Sequence, residues 1–159
     1  LLQLTKGYSI VSNGGFEISP TLIKKNNYKK GKRILNKEVS KIINPILRKI
    51  VSTEEGTAGF ANVNGYEIGG KTGTADQPIK GGYSKKKINT FASVFPTSNP
   101  KFVLVVMLDE PKANKQFIYE YRDGRPSYKG NWRNTAGWTT VWITGKIIEK
   151  IGPILATKY

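Results

Sequence analysis

Apolar positions recur along this chain with two different periods, helical in its first third and at its end, strand-like in between. Residues 1–13 bring Leu1, Leu4, Tyr8 and Val11 near one helical face. Asn13-Gly14-Gly15 follows, and such residues tolerate the left-handed conformation that ends a helix. Residues 16–23 read as a short extended piece interrupted by Pro20, and 24–33 as a basic, solvated loop. Over 37–52, Val39, Ile42, Ile43, Ile46, Leu47 and Ile50 form an apolar stripe, with Asn36 placed to cap the helix. Pro45 inside the stripe predicts a kink or a restart, with Asn44 as a second cap. Residues 53–64, holding Gly56 and Gly59, read as a loop.

Three strands are expected next. Residues 66–75 form the first. In 89–95, Phe91, Ser93 and Phe95 share one face and Thr90, Ala92 and Val94 the other. Residues 102–108 are almost continuously apolar, which predicts a central strand covered on both faces. The short polar connections 77–87 and 96–101 favour antiparallel pairing. Residues 111–135 make a long irregular connection. Trp138, Val141, Trp142, Ile148 and Ile151 give a last helix over 136–151, ended by Gly152-Pro153. Helix, helix, three antiparallel strands and helix make an α+β arrangement of single-domain size, without internal repeats.

Composition narrows the chemistry. The 159 residues include neither cysteine nor histidine. Disulfides, thiolate nucleophiles, His-ligated metals and histidine general bases are therefore excluded. Catalysis here has to rely on Ser, Thr, Lys, Tyr or carboxylates, and no cofactor or metal is expected. The net charge of +15 comes mainly from lysines spread along the chain. Only five arginines are present, so the excess does not point to a nucleic-acid partner. No apolar run is long enough to span a bilayer, and no signal peptide is visible. The opening Leu1-Leu2-Gln3-Leu4, without an initiating methionine, reads as a segment of something longer.

Against this background Gly69-Gly70-Lys71-Thr72-Gly73-Thr74-Ala75 stands out. On a strand, Lys71 and Gly73 point to one face and Thr72 and Thr74 to the other. Gly73 lacks a Cβ, so a ligand backbone can approach closely. Strand N–H groups and threonine hydroxyls can then hold a carboxylate or a developing oxyanion. Lys-Thr-Gly is one of three signatures of penicillin-binding proteins and class A β-lactamases, beside Ser-x-x-Lys and Ser-Asp-Asn.

The flanking blocks extend the match. Gly56-Thr57-Ala58, Gly65 to Ala75, Phe91-Ala92-Ser93-Val94-Phe95-Pro96, Asn99 to Val106 and Asp109-Glu110-Pro111 resemble, in this order, the third-motif region of class B penicillin-binding proteins. The opening Leu2-Gln3-Leu4, Tyr8 and Asn13-Gly14-Gly15 resemble the helix after the second motif. Thr135-Ala136-Gly137-Trp138 and Gly145-Lys146-Ile147-Ile148 are similar to the last helix of division-specific members. The resemblance implies the C-terminal half of a transpeptidase domain over residues 1–159, with a partial β-lactamase/transpeptidase-like fold. It implies a peptidoglycan D,D-transpeptidase of septal wall synthesis. Its partners are stem peptides ending in D-Ala-D-Ala, β-lactams, the remainder of its own domain and cell-division membrane proteins. The family is anchored in the inner membrane with a periplasmic catalytic domain. In the family the nucleophilic serine and Ser-x-Asn lie upstream of these blocks. By resemblance, Lys71 supplies charge beside the nucleophile, Thr72, Gly73 and Thr74 bind the substrate, and the Thr74 N–H forms half of the oxyanion hole. A serine β-lactamase or β-lactam sensor, and a non-catalytic scaffold of the same fold, are the alternatives.

Other candidates have plainer readings. Ser84-Lys85-Lys86-Lys87 and Ser98-Asn99-Pro100-Lys101 both match Ser-x-x-Lys, yet fall between strands. A serine and lysine three apart face each other only on a helix. Lys85, Lys86 and Lys87 read as a solvated cluster near a hairpin tip, with attraction of anionic glycan or pyrophosphate as the functional alternative. Phe117, Tyr119, Tyr121, Tyr128 and Trp132 read as loop packing rather than a base-stacking surface. Trp138 and Trp142 belong to the core, and Asp109 and Glu110 to a salt bridge or turn.

Overall fold

A computed structural model describes residues 1–24, 29–112, 116–129 and 133–158. Helices α1 (Leu2–Ser12) and α2 (Lys37–Ser52) precede a 3-10 turn at Gly59–Ala61. Strands β1 (Gly69–Ile79), β2 (Gly82–Phe95) and β3 (Phe102–Asp109) follow, then the two-residue strands β4 (Ile118–Tyr119) and β5 (Tyr128–Lys129). A 3-10 turn at Ala136–Trp138 leads into α3 (Thr140–Lys158). The sheet is antiparallel in the order β1-β2-β3, and β4 and β5 pair separately. This is the expected α+β architecture. Among the described residues no helix is long and apolar enough to cross a membrane.

The core lies where the second half of β2 meets the helices and the Gly59–Ala61 turn. Val51, Phe60, Ile68, Phe91, Phe95, Tyr119, Val141 and Ile148 are all buried there. Phe60 stacks on Tyr121 with ring centroids 4.3 Å apart and meets Trp138 edge-on at 5.4 Å. Tyr119 meets Trp138 at 4.9 Å and 88°. Tyr119 and Tyr121 thus pack inward, as the loop-packing reading expects; Trp132 lies outside the described residues. Arg122, with its side chain 6% exposed, ties this segment to α3. Its Nε is 3.0 Å from Glu149 Oε1, and its guanidinium donates to the Phe60 carbonyl.

Four expectations need correction. First, α2 begins at its predicted cap, with Asn36 Oδ1 accepting from Glu38 N at 3.1 Å, but buries a different face. Ser40, Asn44, Leu47 and Val51 are inside, while Ile42 and Ile46 are 62% and 49% exposed. The buried polar groups are paid for by the end of α1: Ser40 Oγ donates to Val11 O, and Asn44 Nδ2 donates to Ser12 O at 3.1 Å. Asn44 therefore caps nothing, and the helix continues through Pro45.

Second, β3 is an end strand of the sheet, and β2 is the central one. The side chains of β3 are half-buried, apart from the exposed Met107 and Asp109. Third, the β1–β2 hairpin is longer than its polar sequence suggests. Asp76 pairs with Lys87 across the strands, and the chain turns at Lys80-Gly81, where Gly81 has φ +87°. Lys85, Lys86 and Lys87 are consequently on β2. Lys86 meets Glu110 at 2.7 Å, and Asp109 accepts from Gln77 Nε2 at 3.2 Å, so both carboxylates have structural partners. Fourth, α3 runs past Gly152-Pro153. Gly152 does not stop the helix: it admits the Tyr66 ring, which would lie 2.4 Å from a Cβ at that position.

Candidate active site

Strand β1 occupies the other end of the sheet, with β2 as its only strand neighbour among the described residues. Lys71, Gly73 and Thr74 are exposed there, and Thr72 is half-buried. The Lys71 ammonium folds back along the strand, donating to Thr72 O at 2.8 Å and lying 3.4 Å from Thr72 Oγ1. Among the described residues beyond its chain neighbours, a Cβ on Gly73 would meet nothing nearer than Thr90, at 3.9 Å. The space over Gly73 is therefore open. An ammonium, two hydroxyls and a bare stretch of backbone occur within four residues of one accessible strand.

Two turns from distant parts of the sequence reach this strand. Thr57 Oγ1 lies 3.2 Å from Thr72 Oγ1, and Ala136 N donates to Thr74 Oγ1 at 2.9 Å. The second turn is itself fastened to the sheet. Asn89, fully buried and opposite Thr74 on β2, donates through Nδ2 to Asn134 Oδ1 at 2.8 Å and to Thr139 Oγ1 at 3.1 Å. Sequence reasoning assigned no role to Thr57, Asn89 or Ala136. The blocks Gly56-Thr57-Ala58 and Thr135-Ala136-Gly137 carried the signal for two of them.

A charged pair braces the Gly59–Ala61 turn. Asp123 accepts from Asn62 Nδ2 at 2.9 Å and from Arg125 at 3.0 Å (Nε) and 2.7 Å (Nη2). Burial pushes the Asp123 carboxyl up, but the Arg125 and Asn62 hydrogen bonds outweigh it and hold the pKa at about 2. Arg125 in turn lies 4.1 Å above the Tyr121 ring.

Neither Ser-x-x-Lys string has nucleophile geometry. Ser84 and Lys87 are three apart on β2 and so point to opposite faces. Ser84 Oγ accepts from Lys86 N at 3.2 Å, and Lys87 pairs with Asp76. Ser98 sits in the turn between β2 and β3 and donates its hydroxyl to the Glu67 carboxylate. That bond holds the Glu67 carboxyl below its usual range.

Comparison with known proteins shows the family of the chain. Residues 1–126 match the penicillin-binding protein transpeptidase domain family. A Caulobacter vibrioides protein named "Probable peptidoglycan D,D-transpeptidase FtsI" is 31% identical over 169 residues, covering 99% of this chain and 26% of that protein. The peptidoglycan D,D-transpeptidase FtsI of Buchnera aphidicola is 36% identical over 121 residues, covering 73% of this chain and 21% of that protein. The chain thus spans about a quarter of the length of these relatives. Among solved structures, the transpeptidase domain of Burkholderia pseudomallei penicillin-binding protein 3 superposes with a TM-score of 0.73 at 24% identity, over 96% of this chain and 41% of that one. Penicillin-binding protein 3 of Mycobacterium tuberculosis, complexed with ampicillin, gives 0.68 at 26% identity, over 95% of this chain and 34% of that one. By fold and by sequence, the chain belongs to the penicillin-binding protein transpeptidase family.

Proposed function

We propose that this chain supplies the substrate-binding wall of a serine D,D-transpeptidase that cross-links peptidoglycan stem peptides in septal wall synthesis and is acylated by penicillin. The accessible β1 edge carries this reading, with Lys71, Thr72 and Thr74 beside the open Gly73. A serine outside residues 1–159 is the nucleophile. Its Oγ bonds to the carbonyl carbon of the penultimate D-alanine. The C–N bond to the terminal D-alanine breaks, and that nitrogen leaves with the serine's proton. An amine of a neighbouring stem peptide then attacks the ester, and the serine recovers a proton as the new amide forms. Two easier acyl transfers replace one hard one.

In this scheme Lys71 places positive charge beside the nucleophile. The Thr72 and Thr74 hydroxyls bind the terminal carboxylate, and the Thr74 N–H donates to the oxyanion; one such donor is typically worth about 3 kcal/mol in the transition state. β-Lactams occupy the same edge. By resemblance, this chemistry takes place in the periplasm, in a protein held at the inner membrane alongside other division proteins. Lys71→Ala in the complete protein tests the assignment. Lys71 is exposed, so the fold should persist while fluorescent-penicillin acylation slows roughly 100-fold. An unchanged rate refutes the role of Lys71. A complete wild-type protein that is never acylated favours the scaffold alternative.

A further inference from the structure

We propose that Thr57, outside the Lys-Thr-Gly motif, is a positioning residue that commits the Thr72 hydroxyl to donate toward the carboxylate of the bound ligand. The inference rests on the binding-wall reading above and adds to it the origin of the preference for an anion.

The argument begins with valence. A hydroxyl has one proton to give and two lone pairs to receive. Among the described residues Thr72 Oγ1 has two polar neighbours, Thr57 Oγ1 at 3.2 Å and Lys71 Nζ at 3.4 Å. An ammonium only donates, so Thr72 accepts from Lys71. If Thr57 also donates, both lone pairs are occupied and the Thr72 proton turns to the open side of the strand. The reverse polarity would present a lone pair to the ligand and repel a carboxylate. In the favoured arrangement Thr57 donates to Thr72 and Thr72 to the carboxylate, so each bond polarises the next. Thr74 is biased in the same direction by a single donor. Ala136 N–H fills one lone pair of Thr74 Oγ1 at 2.9 Å, which leaves the Thr74 proton for a ligand.

Thr57 is held for this task. Gly56 N donates to Thr53 O at 3.2 Å, and Ala58 N donates to Ile50 O at 3.1 Å, fixing the backbone on both sides. Ala58 is fully buried. The Thr57 carbonyl packs over Gly137, where a Cβ would come within 2.8 Å. The two turns that reach β1 therefore also brace each other. A Thr72 hydroxyl that can only donate favours a carboxylate, with acceptors on both oxygens, over a carboxamide, which has one acceptor oxygen and N–H groups of its own.

The test uses the complete protein and two acylating probes, a penicillin and the same penicillin with its carboxylate converted to the carboxamide. Thr57→Val should slow acylation by the carboxylate form about tenfold, through weaker binding, and change the carboxamide rate by less than about twofold. Thr57→Ser should restore the wild-type ratio between the probes. An unchanged ratio in Thr57→Val, or an equal fall for both probes, overturns the proposal. Thr74→Val separates the two levels of inference. If Thr74→Val lowers the ratio and Thr57→Val does not, only the role of Thr57 falls. If neither lowers it, the binding-wall reading falls as well.

Discussion

Two glycines three residues apart on β1 separate folding from ligand binding. Gly70 and Gly73 share a strand and a residue type, and both lose the same hydrogen when changed to alanine. Their surroundings differ. A Cβ on Gly70 would lie 2.5 Å from Phe91 Cζ and 2.6 Å from Ala92 O. Phe91 is fully buried and Ala92 O is backbone, so neither moves cheaply. Such overpacking costs about 1–3 kcal/mol. Among the described residues beyond its chain neighbours, the nearest atoms to a Cβ on Gly73 would be those of Thr90, at 3.9 Å. Gly73→Ala also removes the entropic penalty of a strand glycine, a gain of about 0.5–1 kcal/mol. Gly70→Ala should therefore lower the stability of the complete protein, and Gly73→Ala should preserve or raise it. If a ligand lies against Gly73, the same methyl group intrudes on it, and a clash of about 1–3 kcal/mol slows acylation roughly 5- to 150-fold. Thermal denaturation and the second-order rate constant for fluorescent-penicillin acylation read the two effects separately. A Gly73→Ala protein that is acylated at the wild-type rate would refute a ligand lying over this part of β1.

The other expectations concern the proposed nucleophile outside residues 1–159 and two charged groups that brace the Gly59–Ala61 turn. The isolated chain of residues 1–159 should not be labelled by fluorescent penicillin; stable stoichiometric labelling would show that a serine within it reacts. Asp123→Asn should cost about 2 kcal/mol at pH 7, because the carboxyl titrates at about 2 in the fold against an ordinary 3.8. The depressed pKa makes the wild-type advantage complete above pH 4, and it shrinks as pH falls toward 2. Stability curves of the two proteins should converge over that interval, and a constant gap would refute the assignment. Arg122→Met removes the buried member of the Glu149 pair and the donor to Phe60 O. Glu149 is 36% exposed and can be rehydrated, so the loss should be about 2 kcal/mol, below that for breaking a fully buried pair. Heat inactivation of penicillin binding should move down by several degrees, and an unchanged midpoint would refute the brace.

How far the chain could be read in advance depends on the range of the interactions involved. Asn36 is followed two residues later by the N–H it accepts, so the start of α2 is visible in the sequence itself. The three antiparallel strands follow from short connections and period-two spacing. The buried face of α2 does not follow in this way. Its apolar stripe points Ile42 and Ile46 outward, because Ser40 and Asn44 are needed inside to satisfy carbonyls at the end of α1, 29 and 32 residues away. No hydropathy pattern encodes that requirement. The long hairpin was hidden for a related reason: its outer strands are solvated on both faces, so nothing alternates.

The candidate site divides along the same line. Lys71, Thr72, Gly73 and Thr74 are adjacent, and their arrangement on a strand needs only the period of two. The groups that set the direction of their hydrogen bonds are 15 and 62 residues distant, and one of them is a backbone N–H that every non-proline residue has. A sequence motif therefore identifies which hydroxyls are present but not whether they donate or accept. That polarity depends on how the Thr57 and Ala136 turns are held. Thr57 is fixed by the end of α2 and by close approach to Gly137, and Ala136 by Asn89 reaching across from β2. Lys-Thr-Gly-Thr strands with different neighbours at these two places would carry the same four letters and favour different ligand charges. The Thr57 and Thr74 variants measure how much of the site's preference belongs to the motif and how much to the fold around it.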